Sequence, residues 1–178
     1  MALMPLAPGM PQWMGWLSGA VAAIAAVTDY RTGKIYNWLT LPALLAGLVV
    51  AVANGVPTMV AALQGVGVAG LIFLPMFFTG ILGGGDVKLL LALGTILGAQ
   101  GIFLLSLVTI LIAGAGAVAL LFKHRRAGIF VNQLAMFFRS VFTPGLALQW
   151  PKLNRDIKAP FGIAIFFGLL YILAGGRG

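Results

Sequence analysis

The sequence predicts an all-α, polytopic membrane protein of about six transmembrane helices, with one interfacial amphipathic helix on the cytoplasmic side. Three observations predict it. Of 178 residues, 61% are hydrophobic and 8% are charged, and the mean hydropathy of +1.09 is too high for a water-compatible surface. Apolar blocks of about 18 or more residues recur along the chain, which excludes a soluble core or a single anchor. These blocks are continuous and rich in Leu, Ala and Gly, whereas an outer-membrane barrel needs short segments of alternating polarity. Residues 1–178 are expected to form a single transmembrane domain.

The first span covers residues 10–27 and ends at the polar run Thr28-Asp29-Tyr30-Arg31-Thr32-Gly33-Lys34. It is no signal peptide, because its basic residues follow the apolar region instead of preceding it. The second covers 38–53 and closes on the turn residues Asn54, Gly55 and Pro57. The third covers 58–82 and carries Pro75, which a membrane helix tolerates as a kink when neighbours satisfy the freed carbonyl. Residues 89–122 then run for 34 positions without a charge. As one helix that run would be about 51 Å long against a hydrocarbon core of about 30 Å, so it must break. The expected break is Gly98-Ala99-Gln100-Gly101, giving spans at 89–98 and 102–122. Residues 129–142 read as the amphipathic helix, with Phe130, Leu134, Phe137 and Val141 at helical spacing. The sixth span covers 161–174. Gly65, Gly67, Gly70 and Gly168 are expected to serve helix packing.

Charge sets the orientation. In the six-span arrangement Arg31, Lys34, Lys88, Lys123, Arg125, Arg126, Arg139, Lys152, Arg155 and Lys158 share one side, leaving only Arg177 on the other. That asymmetry places the ten in the cytoplasm and both termini outside. It also accounts for the net charge of +8 without a nucleic-acid partner. Zero cysteines exclude a thiol nucleophile and Cys-ligated metal, and one histidine, His124, leaves triad and metalloprotease chemistry without their parts. No cofactor is expected.

The chain has three acids, Asp29, Asp86 and Asp156, and no Glu. Asp156 lies between Arg155 and Lys158 and reads as a solvated charge partner. Asp29 ends the first span and Asp86 begins the fourth, which brings both to the cytoplasmic boundary. Read singly, Asp29 is a loop carboxylate near Arg31 and Lys34, and Asp86 is a helix N-cap. Neither reading explains Gly83-Gly84-Gly85, which stand directly before Asp86. Lacking a β-carbon, these residues are expected to adopt positive φ and to let another chain approach closely. Two opposed carboxylates suit aspartyl hydrolysis, in which an ionised acid takes a proton from water and a protonated one donates to the scissile carbonyl.

Gly83-Gly84-Gly85-Asp86-Val87-Lys88-Leu89 resembles the Gly-x-Gly-Asp signature of the type IV prepilin peptidases. Asp29-Tyr30-Arg31, followed by Ile35-Tyr36-Asn37, resembles that family's first catalytic motif, with Tyr36 in place of the usual Pro. Ala159-Pro160-Phe161-Gly162-Ile163-Ala164 resembles the stretch opening its last span, with Phe161 where Tyr is usual. The resemblance implies a membrane-embedded aspartic endopeptidase that cleaves the basic leader from prepilin or pseudopilin precursors at the cytoplasmic face of the inner membrane. It implies Asp29 and Asp86 as the catalytic pair and Gly83, Gly84, Gly85 and Lys88 as the substrate-facing loop. Larger relatives add a Cys-rich zinc region and N-methylate the new terminus. This chain resembles the short, peptidase-only form of tight-adherence (Flp) pilus systems, so no methyltransferase activity is expected.

Two other readings compete. Presenilin-like and signal-peptide peptidases also use a Gly-x-Gly-Asp loop, and an archaeal preflagellin-processing enzyme is a close neighbour. A small transporter or pilus-assembly scaffold would use the Asp pair as a proton relay, or pair it with Lys88. Transport would need polar groups lining a full crossing, and the outer halves of the spans offer only scattered ones such as Gln64, Gln100 and Ser106.

Overall fold

The computed structural model describes residues 6–123 and 161–175. Every regular element among them is an α-helix: α1 (Gln12–Thr32), α2 (Asn37–Ala53), α3 (Val56–Phe78), α4 (Gly84–Lys123) and α5 (Phe161–Gly175). The chain divides into two compact units, one formed by Met1–Ile112 with Pro160–Gly178 and the other by Ala113–Ala159. In the second unit the described residues, 113–123, are helical. The expected amphipathic helix at 129–142 and Asp156 fall outside the described residues.

Local chemistry sets the helix ends. Pro11, extended at φ −64° and ψ 144°, leads into α1, and Gly33 stops it in the left-handed conformation at φ 63°. There the Gly33 N–H donates to the Asp29 carbonyl at 2.8 Å, using one of the carbonyls that a helix C-terminus leaves over. Proline stands in the first turn of α3, where its missing N–H costs nothing. Helix α4 is two limbs, because Gly98 is non-helical at φ 67° and ψ −175°. The break falls at the first residue of the expected Gly98-Ala99-Gln100-Gly101. The Ile96 carbonyl just before it accepts a hydrogen bond from the Ala7 N–H at 2.9 Å. Ala7 and Met10, from the segment leading into α1, and Met14 of its first turn are buried beside Ile96 in a core cluster that also holds Ala51, Ala61 and Ala62.

The main core gathers Val21, Phe73, Leu89, Leu90, Leu93, Leu97, Ile165 and Leu169. Helix α1 packs along α5 and against α2, and α2 packs on α3. Helices α1 and α5 run antiparallel: Gly162 at the start of α5 meets Asp29, whereas Leu173 near its end lies beside Gly19. Backbones come very close where small residues allow it. A β-carbon on Gly94 would stand 2.7 Å from the Gly65 carbonyl oxygen, and one on Gly168 would stand 3.0 Å from Thr109 Oγ1. The packing expectation therefore holds at Gly65 and Gly168. Gly70 makes only ordinary contacts, and Gly67 has nothing within 4 Å.

Two of the described helical stretches, Val56–Phe78 and Gly84–Leu120, are long and apolar enough to cross a membrane, and Asn37–Ala53 and Phe161–Gly175 are shorter apolar helices. Boundaries differ from expectation at two places that matter for the site. Helix α1 continues through Thr32, so Asp29 lies in its last turn and not in a loop. Helix α4 starts at Gly84, so Asp86 lies inside the first turn and not ahead of it.

Candidate active site

The site grows from three chain segments of the first unit. The last turn of α1 carries Asp29, the connector 33–36 joins α1 to α2, and the turn into α4 carries Gly83, Gly84, Gly85 and Asp86. Between them lies a cleft of about 310 Å³ lined by Asp29, Asp86, the three glycines, the connector and Asn37. Two acids 57 positions apart in sequence (86 − 29) thus share one cavity wall. Both carboxylates are half-buried.

Each acid is held by backbone. Asp86 Oδ2 accepts from the Gly83 N–H at 3.2 Å. This is the reach-back bond of an acidic residue in a helix's first turn to the residue that starts it. Asp29 Oδ2 accepts from the Gly162 N–H of α5 at 2.8 Å. Gly162 is buried, and a β-carbon there would stand 3.0 Å from both Cβ and Oδ2 of Asp29. Phe161 beside it meets Phe73 of α3 edge-on, with ring centroids 6.5 Å apart, which ties the start of α5 to the core.

Gly83, Gly84 and Gly85 keep negative or extended φ. The positive-φ glycine of this turn is Gly80, at φ 76°. The expectation of positive φ at the three is corrected: Gly84 and Gly85 lie in the first turn of α4, where ordinary helical angles suffice, and Gly83 directly precedes it. Close approach is realised instead, and by the protein's own chain. A β-carbon on Gly85 would lie 2.7 Å from the Ile35 carbonyl oxygen and 3.0 Å from Ile35 Cβ. On Gly84 it would meet the Phe77 ring at 3.3 Å. Lys88 stands one turn along α4, where its Nζ donates to Asn37 Oδ1 at 3.0 Å. The connector thus lies close against the glycine turn at Gly85, and beside it α2 is tied to α4 by the bond between Asn37 and Lys88. Among the described residues no three of His, Cys, Asp or Glu gather as metal ligands.

A family model described as the type IV leader peptidase family matches residues 16–118. The chain belongs to the type IV leader peptidase family. No curated protein and no solved structure matches it. The stretch shared with this leader peptidase family holds Asp29, the connector, the glycine turn and Asp86, and it stops before α5. Sequence reasoning brought Asp29, Asp86 and the three glycines together, and the cleft contains all five. It did not assign Gly162, Ile35 or Asn37 a place at the site. The motif stretches that contain them were visible, but nothing in their spacing says which atom touches an acid.

Proposed function

We propose that this leader peptidase is a membrane-embedded aspartic endopeptidase whose catalytic pair is Asp29 and Asp86, and that it removes the basic leader of prepilin-like precursors. The observation that carries the reading is the shared cleft: two carboxylates from distant segments, with glycines beside one of them. One carboxylate takes a proton from a water molecule as its oxygen attacks the scissile carbonyl carbon. The other, protonated, gives its proton to the carbonyl oxygen. Collapse of the tetrahedral intermediate breaks the C–N bond: the proton gained by the first acid leaves on the amine, and a hydroxyl of the intermediate returns a proton to the second acid as the new carbonyl forms. The dyad then stands ready with one proton between its members.

The surface supports a site at the level of a membrane–water interface. Trp13, Trp16 and Tyr171 are exposed at one end of the α1–α5 pair, and Tyr30, Tyr36 and Trp38 are exposed around the other, where the cleft lies. Aromatic side chains with a polar edge collect at the two faces of a bilayer. Along α1 the two groups are about 21–26 Å apart at ~1.5 Å per residue, close to the hydrocarbon thickness of ~30 Å. Between them the exposed side chains of α1, Ala20, Ile24 and Val27, are apolar. The ten-to-one distribution of basic residues supports a multi-pass inner-membrane protein of about six spans with the cleft toward the cytoplasm. A prepilin, with a basic leader ahead of an apolar helix, would present its cleavage point at that level.

The test is cleavage of a purified pilin precursor in detergent, followed by mobility on a gel. Asp29→Asn and Asp86→Asn remove an ionisable group with little change of shape, and each is expected to abolish processing at matched expression. Substantial processing by either variant would sink the mechanism.

A further inference from the structure

Helix α5 lies outside the residues matched by the family model, yet it makes one of the shortest polar contacts in the cleft. We propose that the N-terminus of α5, acting through the Gly162 amide, is the positioning group for Asp29, and that residue 162 must be glycine for that reason. This rests on the reading of Asp29 as one of the two catalytic acids.

Geometry makes the first argument. The terminal torsion of an aspartate is broad and roughly two-fold, so a carboxylate on the last turn of a helix is not aimed by its rotamer alone. A hydrogen bond of 2.8 Å to one oxygen fixes the plane of the group. The donor belongs to a buried residue at the start of a 15-residue helix, so its position is set by the bundle and not by a loop.

Electrostatics adds a second. Asp29 stands at the C-terminal end of α1, where the helix dipole opposes negative charge. The N-terminal end of α5 contributes the opposite sign at the same carboxylate, so the antiparallel pairing of the two helices offsets the penalty. An amide donating to an ionised oxygen also makes a stronger bond than one donating to a neutral group.

Sterics supplies the third. At 3.0 Å from both Cβ and Oδ2 of Asp29, a β-carbon at 162 would be tighter than an ordinary contact, so the carboxylate or the start of α5 must give by a few tenths of an ångström. Any other residue here either moves the carboxylate or lifts the start of α5 away from it.

The experiment uses the full chain in detergent, a pilin precursor and steady-state kinetics on matched amounts of protein. Gly162→Ala is expected to lower kcat by about 10- to 100-fold, the scale of a displacement of up to 1 Å in a reacting group. KM should stay within a factor of about two, since the leader contacts are untouched. Gly168→Ala adds the same methyl on the same helix against Thr109, away from the cleft, and is expected to retain near wild-type kcat. Should Gly162→Ala fail to fold, replacing the Gly162 amide by an ester deletes the donor without adding volume, and the same kcat loss is expected at an unchanged elution volume. Wild-type kcat in the ester variant, or equal losses in Gly162→Ala and Gly168→Ala, would overturn the inference while Asp29→Asn remains inactive. An active Asp29→Asn would instead remove the aspartyl reading on which it rests.

Discussion

Adding one methyl group at Gly85 tests whether the glycine turn is a fitted surface. In Gly85→Ala the new carbon would stand 2.7 Å from the Ile35 carbonyl oxygen and 3.0 Å from Ile35 Cβ. Comfortable separations are about 3.5 Å or more, so the connector and the turn must part by roughly 0.5–0.8 Å. Overpacking of this kind costs about 1–3 kcal/mol, which for a chain of this length lowers Tm by roughly 2–12 °C. The cost should appear in cleavage as well as in stability. Asp86 follows Gly85 directly and Asp29 leads into the connector, so the displacement falls on both sides of the dyad, where misplacement by 1 Å costs about 100-fold. The expected result is a fall in kcat of about 10- to 100-fold at a temperature where the variant is folded. Gly67→Ala is the control, since nothing lies within 4 Å of its added carbon, and it should leave kcat unchanged. Kinetics with the pilin precursor, paired with thermal unfolding in the same detergent, measures both quantities. Wild-type kcat in Gly85→Ala, or an equal loss in Gly67→Ala, would refute the reasoning.

Two further outcomes follow from the same structure. Lys88→Met and Asn37→Ala each break the 3.0 Å bond between α4 and α2, and the double variant should cost less than the sum of the two, with a coupling of about 0.5–1 kcal/mol in unfolding or activation free energy; strict additivity would show that the bond has no role. Reporter fusions after Asn54 or Gly178 should read as periplasmic and one within 125–127 as cytoplasmic, and a cytoplasmic signal after Gly178 would break the proposed six-span topology.

The all-helical architecture was legible because hydropathy and charge act over many residues at once. The break in α4 was legible too, since an uncharged run longer than a bilayer must be interrupted and Gly98 heads its cheapest interruption. The two acids were singled out by scarcity, and their meeting followed from placing both at one boundary. What escaped depended on atoms from segments far apart in the chain. Gly162 reaches Asp29 only because α5 lies antiparallel to α1, and Lys88 finds Asn37 only because the starts of α2 and α4 sit side by side. The glycines before Asp86 were read as freedom for φ and as room for close approach; positive φ is not used, and the close approach is made at Gly85 by Ile35, a neighbour no local rule could name. Helix ends were displaced by five residues at α1 because the polar run after Val27 suggested a loop, while Gly33 decides where the helix stops.

The bond from Ala7 to the Ile96 carbonyl sets an order of events during synthesis. Residues 6–11 leave the ribosome long before their partner exists, and at about 5–20 residues per second they wait on the order of 5 to 20 seconds for residue 96 to be made. The stretch ahead of α1 therefore takes its final place only after the first limb of α4 has been translated and its broken helix has offered a carbonyl. One of the first parts of this chain to be made is among the later ones to be fastened. An assay of nascent chains arrested at increasing lengths would see residues 6–11 become protected from protease only in those extending well past Gly98.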